Sequence, residues 1–191
     1  SFETCSQELD TNIIQNNVYN FYLKYKDKSE QIYQDFFNIK NPRSDAKWSK
    51  KDASTMIVPF QNPQSEKILL FLKNNIEDEW KTNGWNLILD FQPSADIHIV
   101  FKDNITPNVN GLGGNTITMD KKSPLSEWDV QWTIRHEFGH VLGFPDCYLE
   151  FYDEHEKAMI GYQIDTTNLM CSRAGKFKSI HFEALKETYL K

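Results

Sequence analysis

The chain has 191 residues with 39% hydrophobic and 14% aromatic content, enough to bury one core or two lobes sharing a cleft. A formal net charge of −6 leaves no basic face for phosphates, and no Lys/Arg run interleaves with aromatics, so a nucleic-acid partner is not expected. No apolar run approaches the roughly 18 residues of a membrane span. No charged start followed by an apolar stretch opens the chain at Ser1, so a signal peptide is absent from these residues and its removal is the expectation.

Residues 1–44 are rich in Asn, Gln, Lys and Tyr, and place Ile13, Ile14, Val18, Phe21 and Tyr22, then Ile32, Tyr33, Phe36 and Phe37, at helical spacing. Asp10 and Ser29 stand where caps of two helices would, and Asn41-Pro42 would close the second. This predicts a helical hairpin, joined to the rest by the polar residues 43–54. Residues 56–60 read as a buried strand, after which Ser65 caps a helix with Ile68, Leu69, Leu72, Ile76 and Trp80 on one face, ended by Gly84. Residues 85–91 alternate weakly and residues 95–101 alternate well, predicting two further strands. The glycine-rich residues 110–114 let the backbone bend or approach a ligand before a short strand over 116–119. Ser123-Pro124 starts a long helix through Trp128, Trp132 and Ile134 to Leu142, stopped by Gly143. Beyond it the chain reads as loop until a last helix near 179–190. The fold class implied is α+β, a mixed sheet with two main helices beneath it.

Inside the long helix lie His136 and His140, four apart and therefore on one face, with their Cβ atoms about 6 Å apart. Two zinc ligands are thereby preset. Glu137, one residue on, is angled beside the metal, where it can hold and deprotonate a water. Zinc needs a third protein ligand and an open position. Gly143, through a positive φ, can return the chain so that Asp146 reaches the metal, completing the string His136-Glu137-x-x-His140-x-x-Gly143-x-x-Asp146. Two His and one Glu at these offsets arise by chance about once in a hundred such chains. Trp128, Trp132, Phe138, Val141, Leu142 and Phe144 surround the motif and predict a site held against a core.

The extended string resembles that of the metzincin metallopeptidases, with Asp146 where most members carry a third His, as in the snapalysin-like group. Residues 167–172, with Met170, look like the Met-containing turn that metzincins place under the metal. The strand at 95–99, the glycine-rich stretch and an edge strand over 115–119 follow the family's order. The resemblance covers roughly residues 46–191. It implies a metzincin-like zincin fold with a twisted mixed sheet, an active-site helix and a backing helix. The catalytic domain would span 45–191, with an upper lobe at 45–143 and a small, mostly irregular lower lobe at 144–191 ending in a helix. Residues 1–44 fall outside it as an extension that could be a pro-segment.

The activity implied is that of a zinc metalloendopeptidase, a monomer acting on peptides or proteins. One catalytic Zn2+ would sit on His136, His140 and Asp146, with Glu137 as general base and Gly143 and Met170 in support. The edge strand would pair with an extended peptide through Gly113, Gly114, Asn115 and Thr116. Where some members carry a Tyr two residues after the turn Met this chain has Ser172, leaving Tyr148, Tyr152 or Tyr162 to substitute, or simply to pack.

With that fold, Cys147 and Cys171 flank the floor of the site and could bridge. A bridge implies an oxidising compartment, hence a secreted, cell-envelope or periplasmic protein; the alternative is two buried thiols. Glu150, Asp153, Glu154 and Glu156 give the pocket wall an acidic cast that could favour basic side chains, or only a solvated face. The loop at 103–110 could hold calcium, but its spacing matches no defined site. His98, His155 and His181 read as structural or surface residues. Cys5 could place a thiolate on the metal's open position, or be a free, bridging or lipid-bearing thiol. Two other classes stay open: a zincin of another clan using Glu154 or Glu156 as third ligand, and a catalytically idle binding module retaining zinc for structure.

Overall fold

The computed structural model describes residues 11–49, 53–155 and 157–190, and of residues 11–18, 21, 29 and 162 the backbone alone. Asp10, Cys5 and Glu156 lie outside the described residues. The N-terminal segment is one continuous helix, α1 (Thr11–Phe36), where a helical hairpin was expected. Between its ends there is no Gly or Pro, and a Ser in a helix interior costs only tenths of a kcal/mol, so Ser29 does not start a second helix. Lys26 and Glu30 form an i,i+4 pair across this stretch at 3.6 Å.

Nor is the segment after α1 a linker. Phe36, Ile39, Ala46 and Trp48 are buried in the main core, and β1 (Lys47–Trp48) pairs antiparallel with β2 (Thr55–Gln61). Ser65 caps α2 (Glu66–Leu72) by accepting from the Ile68 N–H. That helix runs on as a π-helical turn, Lys73–Glu77, which directs Asn75 onto Arg135 of the helix that carries His136 and His140, Nη2 to Oδ1 2.9 Å. β3 (Lys81–Thr82) then turns into β4 (Trp85–Gln92) through Gly84 at φ +92°, so Gly84 makes a hairpin rather than ending the helix.

The first sheet has the order β1-β2-β4-β3, with β2 and β4 parallel in the register Met56 to Leu87 and Val58 to Leu89. Met56, Val58, Phe60, Leu87 and Leu89 point into the core while Ile57 and Ile88 are exposed, the alternation expected of a sheet covered on one face. The Gln61 N–H donates to Ile97 O at 2.7 Å and ties this sheet to a second one. That sheet has the order β5-β7-β6, made of β5 (His98–Lys102), β6 (Asn108–Val109) and β7 (Thr116–Asp120). Helix α3 begins at Trp128, later than Ser123-Pro124 suggests, and runs to Val141. Its Ile134, Phe138 and Val141 are fully buried, but Trp128 is 56% exposed and does not enclose the motif.

The C-terminal part is less irregular than expected. β8 (Tyr148–Asp153) and β9 (Ala158–Gln163) form an antiparallel hairpin where a loop was read, and α4 (Ser179–Tyr189) closes the fold. The whole is α+β with mixed sheets and few helices. None of the described helices is long and apolar enough to cross a membrane.

Candidate metal centre

α3 presents His136 and His140 on one face, their rings 4.7 Å apart and edge to face. After Val141 the chain breaks at Gly143 with φ +95°, and a Cβ there would also meet Ile39 Cγ2 at 2.7 Å. The reversal brings Asp146 back, with Oδ1 3.0 Å from His136 Nε2 and 3.4 Å from His140 Nε2. Ligand atoms of the three residues all lie within 4.8 Å of one another. Bonds of 2.0–2.1 Å in a tetrahedron put ligand atoms about 3.3 Å apart, so the spacing suits zinc.

The protonation pattern makes the same case. His136 Nδ1 faces Leu169 O at 3.1 Å and His140 Nδ1 faces Phe144 O at 2.8 Å. A carbonyl only accepts, so each Nδ1 carries a proton, and a ring in its neutral form turns a bare Nε2 lone pair toward Asp146. Three lone pairs at hydrogen-bonding distance are repulsive unless a cation lies among them. Asp146 Oδ1 is indeed buried without a hydrogen-bond partner among the described residues. Without a metal only protons relieve the clash. Burial works against charge on both groups, yet the two imidazoles hold Asp146 well below the usual carboxylate range, and Asp146 in turn raises His140. The donor set, two imidazoles and a carboxylate, fits zinc and leaves one position open.

Glu137 is buried beside this triad, and its Oε2 has no hydrogen-bond partner among the described residues. Burial pushes its carboxyl up; His140 and His136 pull it down, Asp146 pushes it up, and the Val109 N–H donates to it. The floor is the turn at 168–172. Asn168 O accepts from the Cys171 and Ser172 N–H groups at 3.0 and 3.1 Å, and Asn168 Oδ1 accepts from the Met170 N–H at 2.9 Å. The turn thus supplies the Leu169 carbonyl that orients His136. Met170 lies directly under α3, where a Cβ on Gly139 would overlap its Sδ. Cys147 and Cys171 form a disulfide that ties the segment carrying Asp146 to this turn.

Tyr148 lies beside Asp146, and burial together with that carboxylate drives its phenol well above the usual range. Its ring lies 6.5 Å from that of His136, and Trp132 lies 4.8 Å from the same imidazole. Tyr152 is 49% exposed, and the side chain of Tyr162 is not described. Ser172 lines the cavity beside the metal triad with its neighbour Arg173.

The expected peptide edge is misplaced. β7 is the middle strand of its sheet, and β6 is the edge. The backbone at 113–116 is already engaged: Gly113 N–H donates to His140 O at 2.8 Å, and Asn115 O accepts from the His98 N–H at 2.8 Å. The Thr116 N–H donates to Asn110 Oδ1 at 2.8 Å. The Arg43 guanidinium donates to Gly113 O, Gly114 O and Asn115 Oδ1 at 3.0, 3.1 and 2.8 Å. The rim that faces the His-His-Asp triad is Pro107, Asn108, Val109, Gly111 and Leu112.

The acidic wall also thins out. Glu150 lines a cavity of about 420 Å³ on one side of the metal triad, but Arg173 lines it too. Asp153 turns the other way, accepting from Tyr25 and from Lys24 on α1. Glu154 lies beyond the far end of β8, about 20 Å from Tyr148 at 3.3 Å per residue, and cannot serve as a ligand with His136 and His140. Asn104 Oδ1, in the loop once considered for calcium, accepts from Lys122 Nζ at 2.9 Å.

His98 bonds Asp96 O through Nδ1 at 2.8 Å. His181 is fully buried, accepting from the Lys178 N–H and donating through Nε2 to Asn168 Oδ1 at 2.9 Å, so it braces the floor turn.

No protein-family model matches the chain, and no curated protein matches it. Among solved structures it is similar to high choriolytic enzyme 1, a hatching enzyme zinc-protease from the medaka fish Oryzias latipes, at 17% identity and a TM-score of 0.38. That likeness covers 57% of this chain and 55% of the other. It is also similar to myroilysin, at 19% identity and a TM-score of 0.37, over 54% of this chain and 52% of the other. The chain therefore spans about half the length of each.

Proposed function

We propose that this protein is a zinc-dependent endopeptidase of metzincin type, with zinc held by His136, His140 and Asp146 and with Glu137 as general base. The observation that carries the reading is the convergence of His136 Nε2, His140 Nε2 and Asp146 Oδ1 on one point beside the Oε2 of a buried glutamate. The Met170 turn beneath α3 and the string ending in Asp146 support the metzincin type.

When bound, zinc supplies Lewis acidity to the attacking water and the scissile carbonyl. Glu137 accepts the proton of that water and later delivers it to the leaving amine. Its raised pKa makes it a better base than an exposed glutamate. Leu169 O and Phe144 O keep both imidazoles in the tautomer that offers Nε2. Strand β6 lines the rim over the triad, where an extended peptide can lie, which fits cleavage within a chain. The disulfide fits an oxidising compartment, so secretion or an envelope location belongs to this reading.

The test is digestion of a mixed peptide library by the purified protein, with and without a zinc chelator, beside the Glu137→Ala variant and metal analysis. The expected outcome is cleavage lost in both controls, with one zinc retained in the variant. One zinc in the wild type without any cleavage would overturn the peptidase reading in favour of a binding module that keeps zinc for structure.

A further inference from the structure

Three cavities meet at Tyr148. The first, already described, lies between α3, the β8–β9 hairpin and the floor turn. The second lies over His136, Glu137, His140 and Asp146, under the rim of residues 107–112. The third, about 320 Å³, is lined by Ile32, Asp35, Asn38 and Lys40 from α1 and the stretch after it, and by Leu112, Pro145, Asp146 and Tyr148 from the domain. The second and third share Leu112, Asp146 and Tyr148, so one cleft runs from the hairpin across the metal triad to α1.

We propose that this third cavity is a substrate subsite, built by the N-terminal segment, for an apolar side chain on the amino side of the scissile bond. The inference rests on the peptidase reading and adds what the extension does there.

The direction follows from the rim. Thr106 and Pro107 border the first cavity and Leu112 borders the third, so the rim runs from one to the other in chain order. β6 is an edge strand already paired antiparallel with β7. A peptide laid antiparallel along this rim runs the opposite way, amino end at Leu112 and carboxyl end at Pro107. Its residues before the scissile bond therefore lie toward α1.

The chemistry follows from the walls. Ile32, Leu112, Pro145 and Tyr148 are apolar, and Leu112, 41% exposed, presents its side chain to the cleft instead of the core. Asp35 and Lys40, both exposed, add one charge of each sign, and the remaining carboxylate, Asp146, is committed to the metal in the peptidase reading.

The α1 wall is fixed to the domain. Phe36 is fully buried against Phe144, ring centroids 5.5 Å apart, and Ile39 is buried against Gly143. Tyr25 and Lys24 bind Asp153 on β8. A wall anchored at both ends stays in place when a substrate binds.

The experiment is cleavage profiling of the full chain, loaded with one zinc, on a peptide library with products sequenced, beside Ile32→Lys and Asp35→Lys. Ile32 is only half-buried and Asp35 is exposed, so both variants should fold, which zinc content and circular dichroism verify. The wild type should prefer an apolar residue at one position before the cleaved bond. Ile32→Lys should lower kcat/KM for those peptides about tenfold relative to acidic ones. Asp35→Lys, by adding a second cation beside Lys40, should raise cleavage of peptides with Glu at that position several-fold. Preferences after the cleaved bond should not move. A wild-type profile flat on the amino side, or folded variants with an unchanged profile, would overturn the subsite while leaving the peptidase standing. Absence of any chelator-sensitive cleavage would overturn the peptidase reading and the subsite with it.

Discussion

Each ring nitrogen at this centre is assigned by what its opposite nitrogen touches. Leu169 O and Phe144 O fix the Nδ1 protons, and the Nε2 lone pairs follow. The spacing of His136, Glu137 and His140 is legible in the sequence because helical periodicity alone puts the two imidazoles on one face. The groups that orient them were not, since two are backbone carbonyls and carry no residue signature. Tyr148 was visible only as a candidate. Its phenol stands beside Asp146, where it can steady the ligand as well as wall the cleft. Tyr148→Phe should weaken zinc binding about 10- to 100-fold, read by competition with a chelating dye. Unchanged affinity with a fall in kcat would instead place the phenol on the substrate.

His181 is a second residue whose role lies beneath the site. Desolvation lowers its pKa to about 4 from the ordinary 6.5, only partly opposed by its bond to the Lys178 backbone. Its folded value is depressed, so the unfolded chain binds the extra proton between those two values. Stability therefore rises with pH through the window, is fully present above about 6.5, and is lost as pH falls toward 4. The full effect is on the order of 3 kcal/mol. Urea titrations at pH 7 and pH 4.5 should show a smaller pH difference in His181→Phe than in wild type. An equal difference in both would assign the acid sensitivity elsewhere.

Among the elements, long strands with alternating apolar positions were readable, as β2, β4, β5 and β7 are. β1, β3 and β6 are two residues each, and tertiary pairing alone defines them. The β8–β9 hairpin was hidden by its acidic residues, although Leu149 is buried as a strand pattern requires. Residues 1–44, expected as an extension that could be a pro-segment, pack into the domain at their C-terminal end. Phe36 is fully buried among Phe37, Phe144 and His181, and Arg43 binds the loop at 113–115. Phe36→Ala should cost about 4 kcal/mol of unfolding free energy, measured by urea titration. Deleting residues 1–44 should accordingly give a poorly folded chain rather than an activated enzyme. A stable, more active truncated protein would restore the pro-segment reading.

At the scale of the whole molecule, two cross-links converge on one loop. The disulfide joins Cys147 to Cys171, 24 residues on, and bound zinc would join α3 to Asp146, the residue before Cys147. In the chain-entropy account a bridge of this span adds about 3 kcal/mol. Zinc at a thousand times its dissociation constant adds about 4 kcal/mol. The two are not independent. The Cys147 N–H donates to Met170 O at 3.2 Å, and the bridge holds the same two segments together, so it presets Asp146 for the metal. Losing the bridge should loosen Asp146, weaken zinc binding and shrink the stabilisation that zinc can give. The double variant Cys147→Ser/Cys171→Ser should therefore unfold at a lower Tm than wild type. At a fixed, limiting zinc concentration, chelation should also lower its Tm by less. Equal chelator-induced shifts in the two proteins would mean that the bridge stabilises the floor of the site without positioning its third ligand.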